Sequence, residues 1–210
     1  MSSVAHWENI YRTRSADQLS WYRPHLETSL RLIGESQPDR DGRIIDVGGG
    51  ESTLVDDLLS AGYSHVEVLD LSATALEFCR RRLGEDAARV RWHCGDVTRY
   101  AFEPASFDLW HDRAVFHFLT GSAERAAYLR QVAHSVKPGG HVIVATFGPE
   151  GPTRCSGLPV RRYGAQQLHD EFGAQFELIE QVVERHPTPG GVMQQFIYCL
   201  CRFAPQAGHR

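Results

Sequence analysis

Three acidic residues and a run of glycines are spaced so that together they can grip a polar ligand. Asp46 lies in the short apolar run Arg43-Ile44-Ile45-Asp46-Val47, which leads straight into Gly48-Gly49-Gly50-Glu51-Ser52. A glycine turn after a strand and before a helix lets backbone approach a ligand where a side chain would exclude it. Asp70 follows 24 positions after Asp46, at the end of a second apolar run. A carboxylate there accepts hydrogen bonds from both hydroxyls of a ribose. Gly95-Asp96 ends a third run, and Lys137-Pro138-Gly139-Gly140 precedes a fifth. A G-x-G alone also describes a flexible turn, so the weight rests on its position. Thr53 stands where a G-x-G-x-x-G would need its last glycine, and the helix start carries Glu51, Asp56 and Asp57. The pyrophosphate of a dinucleotide binds a helix N-terminus through its negative charge. This start therefore suits a cationic ligand better than NAD.

These residues need strands and helices to hold them. Short apolar strands at 43–47, 65–70, 90–94, 107–111 and 141–147 alternate with amphipathic helices at 53–61, 73–83 and 122–136. That alternation predicts βαβ units and a parallel, doubly wound sheet. After Gly148-Pro149-Glu150-Gly151-Pro152 and a helix near 165–172, strands at 176–186 and 194–203 flank Pro187-Thr188-Pro189-Gly190-Gly191. Two strands joined by turn residues predict a hairpin, so the sheet should end with an antiparallel pair. Helices at 4–12 and 25–36 precede the first strand. The expected architecture is α/β, a Rossmann-like seven-stranded sheet with a C-terminal hairpin and an N-terminal helical lid. The expected organisation is one domain over 1–210: lid 1–36, ligand-binding core 43–147 and an acceptor-side segment with the hairpin over 148–210.

Composition narrows the partners. Lys and Arg number 22 against 26 Asp and Glu, a formal charge of −4, which argues against nucleic acid as partner. No apolar stretch reaches the ~20 residues that span a bilayer, and the first residues lack the basic and apolar regions of a signal peptide. The expectation is a cytoplasmic protein without membrane contact, its oligomeric state left open. Five scattered cysteines, Cys79, Cys94, Cys155, Cys199 and Cys201, contain no C-x-x-C pair, which disfavours a disulfide framework or a zinc ribbon, and no metal site is expected. Cys199 and Cys201, two apart in a strand, share a face and read as packed thiols.

The D-x-G-x-G run, the acidic end of the second strand, Gly95-Asp96 and the Lys-Pro-Gly-Gly turn together resemble class I S-adenosylmethionine-dependent methyltransferases. The motifs cover roughly 40–147, and the strand order extends the resemblance to the C-terminus. It implies S-adenosylmethionine as cofactor, with Asp46, Gly48 and Gly50 along its methionine and ribose portion. It implies Asp70 on the ribose hydroxyls and Asp96 with Val97 at the adenine, with Leu71 and Trp92 packing near the base. His111, on the fourth strand, and Trp21 join that donor-binding set. The family often has a third glycine where this chain has Ser52, whose hydroxyl can cap the helix instead.

A finer resemblance, to small bacterial methyltransferases of mostly unassigned substrate, rests on three segments. They are Asp112-Arg113-Ala114-Val115-Phe116-His117-Phe118-Leu119, Cys155-Ser156-Gly157-Leu158-Pro159-Val160 and His186-Pro187-Thr188-Pro189-Gly190-Gly191. The pattern Trp7…Tyr11…Trp21-Tyr22 looks like an aromatic lid of that subgroup and of some protein-lysine methyltransferases; Trp7 and Tyr11 read equally as core aromatics. Methyl transfer asks mainly for orientation and a dry pocket. Where the acceptor carries a proton, a base helps. His117 and His186 are the candidates, with Asp112 and Arg113 as polar neighbours. The leading expectation is a small-molecule acceptor, a thiol or related chalcogenide among them. A protein-lysine methyltransferase and a non-catalytic binder are the alternatives.

Overall fold

The computed structural model describes residues 4–205; residues 1–3 and 206–210, which the expected lid and hairpin segments include, lie outside the described residues. Two helices come first, α1 (Val4–Thr13) and α2 (Glu27–Ser36). Then β1 (Arg43–Val47), α3 (Leu54–Ser60), β2 (His65–Asp70), α4 (Ala73–Leu83) and β3 (Val90–Cys94) follow. Next come β4 (Phe107–Arg113), α5 (Ser122–Ser135) and β5 (Val136–Phe147). The chain closes with β6 (Arg154–Cys155), β7 (Leu158–Pro159), α6 (Ala165–Phe172), β8 (Phe176–Pro187) and β9 (Met193–Phe203).

Seven strands form one sheet in the order β3-β2-β1-β4-β5-β9-β8. The first five are parallel, β9 runs antiparallel to β5, and β8 antiparallel to β9. This is the expected sheet with its closing hairpin. The four C-terminal residues of β1 are all buried, because side chains on both faces lie under helices. One core gathers Ile45, Val47, Trp110, Tyr128 and Val144, the other Ile44, Leu58, Val68, Ile143 and Phe147. The chain leaves β1 in one direction and returns to β4 on its other side. That reversal opens a crevice at the carboxyl ends of β1 and β4.

Several boundaries differ from expectation. The fourth strand runs on to Arg113, carrying Asp112 and Arg113 inside the ladder opposite Val144 and Ala145. The fifth begins at Val136, so Lys137-Pro138-Gly139-Gly140 belongs to an irregular strand start. Lys137 is held there by Asp108 at 2.7 Å. A small hairpin, β6–β7, escaped the sequence reading. Its turn residues Ser156 and Gly157 both take positive φ, 47° and 78°, the conformation two-residue hairpin turns require. No helix among the described residues is long and apolar enough to cross a membrane.

Candidate functional site

The glycine turn sits where β1 ends, tied to β2 by N–H bonds from Gly48 and Gly49 to the Leu69 carbonyl. Gly48 has φ +70°, and a Cβ on it would fall 2.0 Å from Val115 Cγ2. Gly50 has φ +42°, and its Cβ would meet the Tyr11 hydroxyl at 2.7 Å. Positive φ and contact on both sides leave only hydrogen in these places. Ser52 accepts the Leu54 N–H at 3.1 Å, the helix-start bond expected of it.

Four carboxylates surround this turn, and their surroundings differ. Asp46 is buried; its Oδ1 accepts from His111 Nδ1 at 2.7 Å, and His111 Nε2 shares a 2.9 Å bond with the Ser29 hydroxyl. Asp46 Oδ2 has no partner among the described residues, and neither has either oxygen of buried Glu51. Burial pushes the Glu51 carboxyl up to about 7, against the pull of Arg82. Burial pushes Asp70 up to about 7 as well, although the N–H groups of Ser72 and Gly50 bond to it. Three buried acceptor oxygens with nothing to accept mark a place built for donors or positive charge. Asp96 is partly open, its Oδ1 taking the N–H and hydroxyl of Thr98 at 2.9 and 2.7 Å.

The crevice has two connected lobes that share Tyr11, Trp21, Gly48 and Arg113. The main lobe holds a cavity of about 120 Å³ that opens to solvent at its mouth. Its walls carry Asp70, Leu71, Asp96, Val97 and Thr98 together with Trp7, Trp21, Phe118 and Cys155. Trp7 stands edge-on to Trp21 and to Phe118, at 6.0 and 5.2 Å between centroids. The second lobe meets Asp46, Glu51, His111 and Arg23. Asp46, Gly48, Asp70, Leu71, Asp96, Val97, His111 and Trp21 thus all border one crevice, and Gly50 lies behind it against Tyr11 and Asp70. Trp92 does not; its indole N–H bonds the Ala87 carbonyl beside α4.

The candidate bases His117 and His186, and their neighbour Asp112, line neither lobe of the crevice, which argues against the expected base role. His117 is fully buried behind the wall, its Nδ1 accepting from the Phe147 N–H at 3.3 Å. Burial first, then Arg113, pushes its pKa down to about 3, which makes it a poor base. His186 is buried with its Nε2 donating to the Ser20 carbonyl at 2.7 Å. Asp112 accepts from the N–H groups of Val115 and Phe116 and from the Tyr128 hydroxyl. Those bonds hold the sharp turn after β4, where Ala114 takes φ +77° and Val115 is pressed toward Gly48. Its task is to shape the wall. The sequence offered Tyr11 as a lid or core aromatic and Arg113 as a polar neighbour, and held Phe118 and Cys155 only within longer segments; strand ends and the lid pattern do not say which side chain turns inward.

Comparison with known proteins agrees with this geometry. Residues 44–140 match the family model described as "Methyltransferase domain". The chain is 27% identical, over 98% of its length, to the eEF1A lysine and N-terminal methyltransferase of Bos taurus, covering 29% of that protein. It spans under a third of the length of the relatives bearing that name in Bos taurus, Danio rerio and Mus musculus. A solved structure on the conversion of a disulfide bond into a thioacetal group during echinomycin biosynthesis superposes with TM-score 0.77. Its sequence identity is 20%, and the match covers 97% of this chain and 94% of that one. The Burkholderia thailandensis 1,6-didemethyltoxoflavin-N1-methyltransferase, solved with 1,6-didemethyltoxoflavin and S-adenosylhomocysteine, superposes with TM-score 0.65 at 20% identity, covering 97% and 85%.

Proposed function

We propose, from the match of residues 44–140 to a methyltransferase domain, that the protein is a class I S-adenosylmethionine-dependent methyltransferase and that it transfers the methyl group to a small-molecule acceptor. The observation that carries the donor assignment is the set of unpartnered buried oxygens on Asp46 and Glu51 beside the glycine turn. An ammonium and a sulfonium both answer them, whereas a pyrophosphate would be repelled. Arg23 in the same lobe answers the carboxylate of an amino acid. Asp70 holds the ribose hydroxyls, and Val97 and Leu71 pack the base beside Asp96. When bound, the donor supplies a methyl carbon already activated on sulfur. The chain's own work is to orient the acceptor's lone pair in line with that carbon and to keep water out with Trp7, Trp21 and Phe118. Among the described residues no histidine borders the crevice beyond His111, which is engaged on both ring nitrogens. An acceptor that gives up its proton to solvent before it binds, such as a thiol entering as its thiolate, needs no base from a wall of this kind. Protein-lysine methylation is the second reading, favoured by the match to the eEF1A methyltransferases. Labelled donor offered with thiols, amines, phenols and cell lysate separates the two by whether label enters small products or a protein band.

The donor assignment has a direct test. S-adenosylmethionine and S-adenosylhomocysteine should raise the melting temperature and NAD should not; at a hundredfold excess over Kd the gain is about 2.7 kcal/mol. A flat response to both donor and product would sink it. The sign of the pH dependence also follows. In the empty site Glu51 and Asp70 have pKa values raised to about 7, so ionising them costs the folded protein stability as pH rises from the ordinary carboxylate range through 7. A bound cation and ribose hydroxyls favour the ionised forms, so donor affinity should climb between about pH 5.5 and 8, by up to ~10-fold per unit for each proton lost. Glu51→Gln should weaken binding about tenfold at pH 8 and flatten the rise. Titration calorimetry showing equal slopes in the two proteins would exclude Glu51.

A further inference from the structure

One short stretch of the lid roofs the crevice, and groups far apart in the chain hold it. We propose that His186, Cys155 and Arg113 form a latch on Ser20–Trp21, and that this latch, rather than proton transfer, is what the His186 and Cys155 segments contribute to the reaction. His186, on β8, donates from Nε2 to the Ser20 carbonyl at 2.7 Å. Arg113, at the end of β4, donates to the Trp21 carbonyl at 3.0 Å. The sulfur of Cys155, on β6, lies against the Ser20 hydroxyl. Thr53 takes the next free carbonyl, that of Arg23, at 3.1 Å. A backbone held at two carbonyls by side chains from the sheet and at a third by the N-cap residue of α3 cannot drift independently of them.

Trp21 is the residue this positioning serves, because it borders both lobes and meets Trp7 edge-on. Trp21 walls both lobes, so lifting the stretch, which breaks the bonds to His186 and Arg113, widens the way out for a ligand. The small β6–β7 hairpin has a matching role. Leu158 packs with Trp7, Tyr11 and Leu19, so its turn presents Cys155 to Ser20 and Leu158 to the lid together. His186, Cys155 and Arg113 are therefore positioning residues, acting on acceptor and donor through Trp21.

The readout rests on the donor reading, so binding of S-adenosylhomocysteine to the unaltered protein is measured first. No binding there overturns the donor reading, and the latch is then judged on amide exchange of residues 14–26 alone. With binding, His186→Ala should speed release of S-adenosylhomocysteine ~5–10-fold by stopped-flow tryptophan fluorescence, and exchange in 14–26 should quicken. His186→Gln, which keeps a donor at similar reach, should restore both. Ser20→Ala should speed release ~2–3-fold; it removes no buried ring, so it decides the matter with His186→Gln if His186→Ala fails to fold. Release within twofold of the original with unchanged exchange in 14–26, or a glutamine variant as fast as alanine, would overturn the latch. So would a lowered melting temperature with release per folded molecule unchanged.

Discussion

Arg113→Met should cost the folded protein about 3 kcal/mol, the scale on which a buried charge pair resists losing one partner. The Arg113 side chain is 5% exposed and reaches three separate parts of the fold. It donates to Tyr198 on β9 at 2.9 Å, to the Trp21 carbonyl at 3.0 Å and to Glu184 on β8 at 3.3 Å, and it lies 4.2 Å over the Phe196 ring. Methionine fills much of the same volume but leaves Glu184 and the Trp21 carbonyl without their donor. For a chain of this length the loss corresponds to a fall in melting temperature of about 6–12 °C. Urea unfolding that places the change under 1 kcal/mol would show that solvent replaces the guanidinium at little cost. Any residual folded protein should release S-adenosylhomocysteine faster as well.

Asp70→Ala should weaken donor binding by about 1.5–3 kcal/mol, roughly 10- to 150-fold in Kd, because the charged acceptor of two hydroxyl hydrogen bonds is gone. The unliganded protein should behave differently. Ionised Asp70 is strained by burial and by the neighbouring Asp46 and Glu8 charges. Removing it at pH 8 relieves that strain and forfeits the bonds from Ser72 and Gly50, so the melting temperature should change little. A site that spends stability on unanswered charge in order to bind has this signature. Calorimetry at pH 8 showing original affinity would remove Asp70 from the donor site. A large fall in the unliganded melting temperature would make its role architectural.

His111 shows how burial changes a residue's meaning. On an apolar strand it reads as one polar position among many. In the fold it is 1% exposed and bridges Asp46 to Ser29 on α2, so it orients one Asp46 oxygen and leaves the other facing the second lobe. Cys199 and Cys201 are buried in one core, as their two-residue spacing implies.

Local sequence was enough for the sheet, its order of elements and the glycine-turn wall of the crevice. Periodicity distinguishes strand from helix residue by residue, and a glycine turn, an acidic strand end and a Gly-Asp pair lie within a few positions of the strands that carry them. Asp46, Gly48, Asp70 and Asp96 could be singled out because backbone geometry places strand ends in one row. The acceptor half depended on tertiary contact. His117 and His186 lie close to the expected end of the sheet, but whether a ring faces a cavity or the protein interior is decided by what packs around it. Phe147 and Arg113 enclose the first, and the Ser20 carbonyl takes the second, from 166 residues away in the chain. Likewise Ser20, Cys155 and Arg113 share no motif, and only the folding of lid, hairpin and β4 onto one another brings them together.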